Sequence, residues 1–176
     1  MSIITAPITQ FVKNNPETLI NSFIECLHNF QEDIVNKDKY NLLKVPKDYW
    51  KKYFKQLKNG SKEDEKIGIM NYIAYIKNEK EEIKAFICWK KIVLGQGVPF
   101  HDWIKQNVVE IFELYVSPEY RGNWIGETLI NYVESYHEND NIDKFMIEVL
   151  YDNEPAKKLY EKKWFKPWHV TMVKEA

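Results

Sequence analysis

Apolar residues recur along the chain with two different periods, and these periods predict its secondary structure. Spacing typical of an amphipathic helix predicts helices over residues 17–36, 47–58 and 125–138, and from Asn153 to about Lys163. Alternating apolar positions predict strands over 67–77, 83–94, 108–116, 145–151 and 169–173. The charged stretch 59–66 and the stretch 94–107, which contains two glycines and a proline, are predicted to be loops.

The segment VVEIFELYV, residues 108–116, differs from the other predicted strands. It is apolar on both faces apart from Glu110 and Glu113. A strand of this kind lies in the middle of a sheet that is covered on both sides. With strands and helices alternating after it, the sequence predicts an α/β architecture (an α+β mixed sheet) with helices on both faces, formed by a single domain over residues 1–176.

Composition narrows the class of protein. Hydrophobic residues make up 44% of the 176 residues and aromatic residues 15%, which excludes global disorder. The net charge of -1 argues against bulk nucleic-acid binding. The longest strongly apolar run, residues 67–76, is about half of the ~20 residues that a membrane helix needs.

The first residues and the cysteine count bear on where the protein is located, and the aromatic content bears on its assembly. The first ten residues, MSIITAPITQ, lack a basic start and a long apolar stretch, so no signal peptide is expected. Only two cysteines, Cys26 and Cys88, are present, too few for a disulfide scaffold. We therefore expect a cytoplasmic protein without membrane contacts, and the high aromatic content is compatible with a homodimer.

The segment ELYVSPEYRGNWIGETLI, residues 113–130, joins the central strand to the next helix and is a candidate anion site. The first turn of a helix carries unpaired N–H groups and a partial positive charge. Gly122 and Gly126 allow the backbone to approach a ligand, and Arg121 adds a cation that suits phosphate. A phosphate-bearing cofactor is therefore expected here. Neither the Walker spacing nor G-x-G-x-x-G is present, and the two glycines are also compatible with close packing alone.

Two motifs resemble those of the GCN5-related N-acetyltransferase (GNAT) superfamily. VSPEYRGNWIG resembles motif A, R/Q-x-x-G-x-G/A, preceded by the family's characteristic strand. NEPAKKLYEKKWF, residues 153–165, resembles the second signature, N-x-x-A-x-x-L-Y-x-x-x-G-F. Either motif alone is modest evidence, but the two occur in the family's order and at its spacing. The resemblance implies the GNAT-like acyl-CoA N-acyltransferase fold and acetyl-CoA (coenzyme A) as the cofactor.

By this resemblance, the pyrophosphate of acetyl-CoA lies on main-chain N–H groups from Arg121 to Gly126. The pantetheine arm pairs with the backbone near Leu114 and Val116, and Asn153 and Tyr160 lie near the arm and the thioester. The resulting candidate cofactor-binding residues are Leu114, Tyr115, Val116, Arg121, Gly122, Asn123, Trp124, Ile125, Gly126, Glu127, Asn153, Ala156 and Tyr160.

The chain departs from the family pattern at three positions. Trp124 occupies the place of the first motif glycine, Glu127 stands where a small or hydroxyl residue often holds phosphate, and Trp164 replaces the glycine of the second signature. A carboxylate suits a helix N-terminus but repels pyrophosphate at short range. Because most of the expected contacts are main-chain N–H groups, we still expect coenzyme A to bind.

Acetyl transfer to an amine needs a base, an oxyanion donor and an acid. Tyr160 is the candidate acid by its match to the L-Y pair, although an aromatic on an amphipathic helix also serves packing. Glu113 is the preferred base, ahead of Glu110 and then Glu148, with ion pairing as the alternative for each. Glu110 and Glu113 are three residues apart, so we expect them to point to opposite faces of the strand, with only one of them facing the acceptor pocket. A main-chain N–H near Val116 is the candidate oxyanion donor.

The acceptor is less clearly indicated by the sequence. Acidic residues on the first helix and in the loop 94–107 favour a cationic small molecule such as a polyamine or an aminoglycoside. A protein or peptide amine is the alternative. A non-catalytic module that senses coenzyme A with the same fold is a third reading, motivated by Trp124 and Glu127. No metal is expected, since the four histidines show no metal-ligand spacing.

Overall fold

The structure is a computed structural model that describes residues 2–38, 49–94, 105–169, 171, 172 and 174. The strands are β1 (Ile4–Pro7), β2 (Asn71–Lys77), β3 (Ile83–Leu94), β4 (Gln106–Val116) and β5 (Lys144–Ile147). The helices are α1 (Ile8–Asn14), α2 (Glu17–Lys37), α3 (Tyr49–Lys66), α4 (Ile125–Tyr136) and α5 (Glu154–Lys162).

The strands form one sheet in the order β1-β2-β3-β4-β5. The first three pairings are antiparallel and β4 pairs with β5 in parallel. A parallel pair needs a crossover connection, which α4 supplies. The predicted mixed sheet is therefore confirmed.

Each face of the sheet carries its own apolar cluster. One cluster joins α1, α2 and α3 to side chains such as Phe86 and Tyr115, and its rings meet edge to face, with Phe11 and Phe23 centroids 5.4 Å apart. The other joins α4 and α5 to the alternate positions of the same strands, including Ile87 and Trp89. Successive strand residues point to opposite faces, which explains this division. Helices cover both faces, as predicted.

The predicted loop over residues 59–66 is wrong, because α3 continues through it to Lys66. This stretch has no apolar residues, but tertiary contacts hold it in place. The Glu65 carboxylate accepts a hydrogen bond from the Thr9 hydroxyl, and Asp64 accepts one of 2.7 Å from Asn71. Polar anchors to α1 and β2 therefore extend the helix beyond its amphipathic part.

The C-terminal strands also differ from the prediction. β5 ends at Ile147, four residues before the predicted end. The described residues of the predicted strand 169–173, namely residues 169, 171 and 172, are not in a strand. Most of the predicted loop 94–107 lies outside the described residues. β1 and α1 have no counterpart in the prediction.

Candidate active site

An irregularity in β4 determines where its carboxylates point. Opposite β3, Glu113 pairs with Cys88 but Ile111 pairs with Trp89, so Phe112 is an extra residue on β4. This is a β-bulge. Glu110 pairs with Lys90, which shares a face with Cys88, so Glu110 and Glu113 lie on the same face. The expectation that they face opposite sides is wrong, because it assumed a regular strand.

Beyond the bulge, β4 has a neighbouring strand on one side only within the described residues. Its pairing with β5 covers Val108–Ile111, opposite Lys144–Ile147, and ends there. Its pairing with β3 continues to Val116. We call residues 108–111 the closed half of β4 and residues 112–116 its open half. The side of the open half that would face β5 forms a notch in the sheet.

Main-chain groups of the open half point into this notch. The N–H of Ser117 donates to the carbonyl of Lys84 at 2.8 Å. In an antiparallel pair, residues that bond to the partner strand alternate with residues whose N–H and C=O point away. Leu114 and Val116 are therefore directed toward the notch. The carbonyl of Val116 accepts a 2.8 Å hydrogen bond from Nε of Arg121, which leaves the two groups of Leu114 and the N–H of Val116 for a ligand.

The N-terminus of α4 lies beside the open half. No side chain of the described residues caps it, and Trp124 serves as N-cap. The N–H groups of Ile125, Gly126 and Glu127 have no acceptor inside the helix. A β-carbon at Gly126 would lie 3.0 Å from Cδ2 of Leu159 and 3.9 Å from Cγ2 of Val116. Because glycine has no β-carbon, α4, α5 and the end of β4 can pack closely at this position.

Trp124 and Glu127, at this N-terminus, both contact Lys162 of α5. Trp124 has φ of 61°, in the left-handed region that favours glycine, and its side chain is 69% exposed. The Nζ of Lys162 lies 3.9 Å from the centroid of its ring and 2.6 Å from a carboxylate oxygen of Glu127. Lys162 on α5 therefore orients the indole and balances the negative charge of Glu127.

Arg121 is engaged differently from the sequence expectation. Its guanidinium contacts the Asp33 carboxylate of α2, in addition to the carbonyl of Val116. Its main-chain N–H donates to the carbonyl of Pro118 at 3.2 Å. Arg121 thus ties α2 to the loop before α4 instead of presenting an unpaired cation. Next to it, Gly122 has φ of 77°, a conformation that only glycine adopts without strain.

Tyr160 lies on the α4 and α5 side of the sheet. It is 8% exposed, and burial raises the pKa of its hydroxyl to about 12. Its hydroxyl therefore keeps its proton at neutral pH. Asn153 is the N-cap of the same helix, and Ala156 packs in the same apolar cluster.

Glu113 lies on the other side of the sheet, among the rings of the α1–α3 cluster. It is 5% exposed, and burial raises the pKa of its carboxyl well above the usual value. The hydroxyl of Tyr53 on α3 donates to its Oε1, whereas its Oε2 has no hydrogen-bond partner among the described residues. Such a carboxyl is suited to accept a proton from a bound donor.

The other two carboxylates fit a base less well. Glu110 lies in the closed half and forms an ion pair with Lys90, with 3.4 Å between Oε2 and Nζ. Glu148 follows the end of β5 and is exposed. Glu113 therefore lies in the open half of β4 and Glu110 in the closed half. Glu113 and Tyr160 lie on opposite faces of the sheet, on either side of the open half of β4.

Three partners of this site were not found by sequence reasoning: Tyr53, Lys162 and Asp33. Each acts through a residue distant in sequence, so no local pattern indicates it. Within the part of the chain that the structure describes, no group of three or more metal-ligating side chains occurs. In the same residues no helix is both long enough and apolar enough to span a bilayer.

Comparisons with known proteins identify the fold and the family of the chain. Solved structures with the same fold include a mutant of the BH1408 protein from Bacillus halodurans, with 16% identity, a TM-score of 0.64 and coverage of 100% of this chain and 99% of that chain. An acetyltransferase from Trypanosoma brucei has 15% identity and a TM-score of 0.57, covering 99% of this chain and 100% of that one. A ribosomal-protein-alanine N-acetyltransferase from Brucella melitensis biovar Abortus has 12% identity and a TM-score of 0.60, with the same coverage.

At these identities the structural likeness establishes the fold alone. No curated protein matches the chain in a sequence search. The family model of the acetyltransferase (GNAT) family matches residues 40–164, which is well over half of the chain. The chain therefore belongs to the acetyltransferase (GNAT) family.

Proposed function

We propose that this protein transfers the acetyl group of acetyl-CoA to a primary amine by direct attack in a ternary complex. The observation that carries the proposal is the open half of β4. It leaves main-chain hydrogen-bonding groups at a notch beside a helix N-terminus, and a buried carboxyl and a buried phenol lie on the two faces of the sheet that meet there. Family membership supports the same reaction class.

The residues at the notch fit acetyl-CoA. An extended pantetheine arm requires backbone partners, which Leu114 and Val116 provide. A pyrophosphate requires several N–H donors, which the first turn of α4 provides. The family pattern also assigned the N–H of Arg121 to the pyrophosphate, but that group already donates to Pro118. The main-chain amides from Gly122 to Gly126 stay the proposed donors, joined by that of Glu127, and Lys162 offsets the carboxylate of Glu127. When bound, coenzyme A supplies an acetyl group activated as a thioester.

Glu113 is proposed as the base. An amine near neutral pH is mostly an ammonium ion, which has no lone pair with which to attack. Oε2 of Glu113 takes the proton from this ion, so the free amine can form the new bond to the acetyl carbon. The Glu113 carboxyl has a raised pKa, and this makes it a strong enough base to hold that proton.

Tyr160 is proposed as the acid. When the N–C bond forms, the C–S bond breaks and the electron pair goes to sulfur. The Tyr160 hydroxyl gives its proton to this thiolate and recovers one from solvent after the product has left. The nitrogen's second proton passes to solvent as the tetrahedral intermediate collapses, and Glu113 loses its proton to solvent in the same interval. Of the two protons that leave the nitrogen, one is replaced on Tyr160 from solvent and the other is the net proton released, so charge and protons balance over the cycle.

The acceptor is proposed to be a cationic small molecule such as a polyamine or an aminoglycoside. The support is the acidic character of α2, which carries Glu25, Glu32 and Asp33. Asp33 pairs with Arg121 and Glu32 lies 3.4 Å from His28, so Glu25 is the stronger argument. A protein amine is the second candidate, and one structural neighbour bears the name of such an enzyme.

A thiol-release assay with acetyl-CoA and a panel of amines tests the proposal. We expect release of free coenzyme A that depends on a polyamine or aminoglycoside and is abolished in Glu113→Gln. Activity confined to peptides with a free N-terminus favours the protein acceptor. Tight binding of coenzyme A without turnover on any amine replaces the enzyme with a non-catalytic sensing module.

A further inference from the structure

The two carboxylate oxygens of Glu113 are in different states. Oε1 accepts a hydrogen bond from the Tyr53 hydroxyl, which joins α3 to β4 across 60 positions of sequence. Oε2 is buried and has no partner among the described residues. Buried acceptor atoms are nearly always paired in folded proteins, because an unpaired one costs free energy. An exception on a carboxyl whose other oxygen is held by a hydrogen bond indicates a group that a bound donor completes.

The β-bulge and α3 together produce this arrangement. The extra residue Phe112 turns Glu113 toward the α1–α3 face, and Tyr53 lies on the helix that packs there. A regular strand would turn Glu113 to the α4 side, away from Tyr53. The contact between the two side chains is therefore specific to the bulged strand.

We propose that Tyr53 is a positioning residue that holds Oε1 of Glu113 and thereby leaves Oε2 as the atom that takes the proton from the acceptor amine. This inference rests on the proposed function. The hydrogen bond from Tyr53 fixes the rotation of the Glu113 carboxyl group, so the lone pairs of Oε2 point in one direction. It also stabilises the ionised carboxylate, since a hydrogen bond donated to a charged form favours that form.

The surroundings of Glu113 make this hydrogen bond influential. On its own face of the sheet, the ionisable groups include Tyr75 on β2, Cys88 on β3, Tyr115 and Glu110 on β4, and Lys90, which pairs with Glu110; Cys26 of α2 belongs to the same cluster. From the helices, Tyr53 on α3 contacts it directly. Among the described residues of every element packed there, burial is the one identified influence on the pKa of Glu113, and burial raises it. The Tyr53 hydroxyl opposes that effect.

The test compares Tyr53→Phe with Tyr75→Phe. Both keep the ring, and Tyr75 lies in the same apolar cluster, 3% exposed, against Phe11 and not against Glu113. In Tyr53→Phe the acid limb of the kcat/KM profile is expected to move to higher pH by about one unit. The activity that Tyr53→Phe loses at low pH is expected to return as the pH rises. Tyr75→Phe is expected to leave the limb in place.

A second readout does not depend on acetyl transfer. In protein with 13C-labelled glutamate, the Glu113 carboxyl resonance is assigned by its loss in Glu113→Gln, and its titration midpoint is expected to rise in Tyr53→Phe only. In wild-type protein with labelled tyrosine, the Tyr53 ring resonance is expected to follow the same midpoint, which needs no Tyr53 variant.

These outcomes separate the two proposals. Equal midpoints in wild type and Tyr53→Phe, or an equal shift in Tyr75→Phe, overturn the role of Tyr53. A shifted midpoint with an unchanged acid limb overturns it for catalysis and leaves the proposed function standing. A shifted midpoint without acetyl transfer to any amine overturns the proposed function, and with it the role of Tyr53 in proton removal.

Discussion

The closed and open halves of β4 differ although they belong to one strand. Residues 108–111 have a strand on each side, and their one carboxylate, Glu110, is paired with Lys90. In the part of the chain that the structure describes, residues 112–116 have a strand on one side only, and Oε2 of their carboxylate, Glu113, has no hydrogen-bond partner. The closed half is paired on both sides and its carboxylate has a partner, whereas the open half keeps main-chain and side-chain groups for a ligand.

The difference shows that the candidate reactive groups of β4 lie where its pairing with β5 ends. The bulge at Phe112 coincides with the last residue pair between β4 and β5. Bulges end or redirect pairing and are frequent next to active sites. One extra residue therefore both opens the notch and turns Glu113 toward Tyr53.

The largest expected effect separates the two carboxylates. Glu113→Gln removes the proposed base, and we expect kcat/KM to fall about 100-fold or more. Glu110→Gln removes only a partly exposed ion pair, and we expect a change of less than about threefold. Steady-state kinetics with a saturating amine compares the two variants with wild type. A loss at Glu110 equal to that at Glu113 would remove the functional distinction between the halves.

Tyr160→Phe is expected to have the next largest effect. Loss of the proposed acid lowers kcat about tenfold or more, because the departing thiolate no longer receives a proton. The ring stays, so the free energy of unfolding changes by less than about 1 kcal/mol. Urea denaturation measured beside the kinetics decides between the roles. Equal losses of turnover and stability would make Tyr160 a packing residue.

The pH dependence of stability tests the burial of Glu113. Its pKa is higher in the folded protein than in the unfolded chain, so the folded state holds the proton more tightly. Its favourable contribution is complete below the unfolded value of about 4.5 and is lost as the pH rises through the folded pKa. Stability of Glu113→Gln relative to wild type is therefore expected to increase as the pH rises above the unfolded value of about 4.5 and through the raised folded pKa. A difference in the free energy of unfolding between Glu113→Gln and wild type that stays constant with pH would contradict a buried Glu113 with a raised pKa.

The smallest expected effect concerns the tryptophans that follow the open half and α5. Trp124 and Trp164 have φ of 61° and 67°, where a side chain costs about 1 kcal/mol relative to glycine. Trp124→Gly is expected to be about 1 kcal/mol more stable than Trp124→Ala, and the same difference is expected at Trp164. Thermal or urea denaturation measures it. An alanine variant as stable as its glycine counterpart would show that these positions carry no strain.

The amphipathic helices and the alternating strands could be predicted from the sequence because burial imposes its period directly on the residues. The extension of α3 could not, because its polar last two turns depend on contacts such as that of Asp64 with Asn71. The predicted strand around Thr171 has an alternating pattern, but pattern alone provides no neighbour with which to pair.

The candidate site could be predicted in its main-chain part and not in its side-chain pairs. The glycines and the strand–helix junction are local features of residues 113–130, so sequence indicated them. The contact between Tyr53 and Glu113 depends on a bulge, and the run Glu-Ile-Phe-Glu carries no glycine that would mark one. The spacing of three residues between Glu110 and Glu113 is the one signal that the sequence offered.

Titration of 15N-labelled protein with coenzyme A tests the central claim most directly. The account predicts that the main-chain amides of Leu114, Val116 and Gly126 shift as the ligand binds, while those of Val109 and Ile111 in the closed half stay in place. No change at the open half at saturating coenzyme A, or equal changes in both halves, would contradict it.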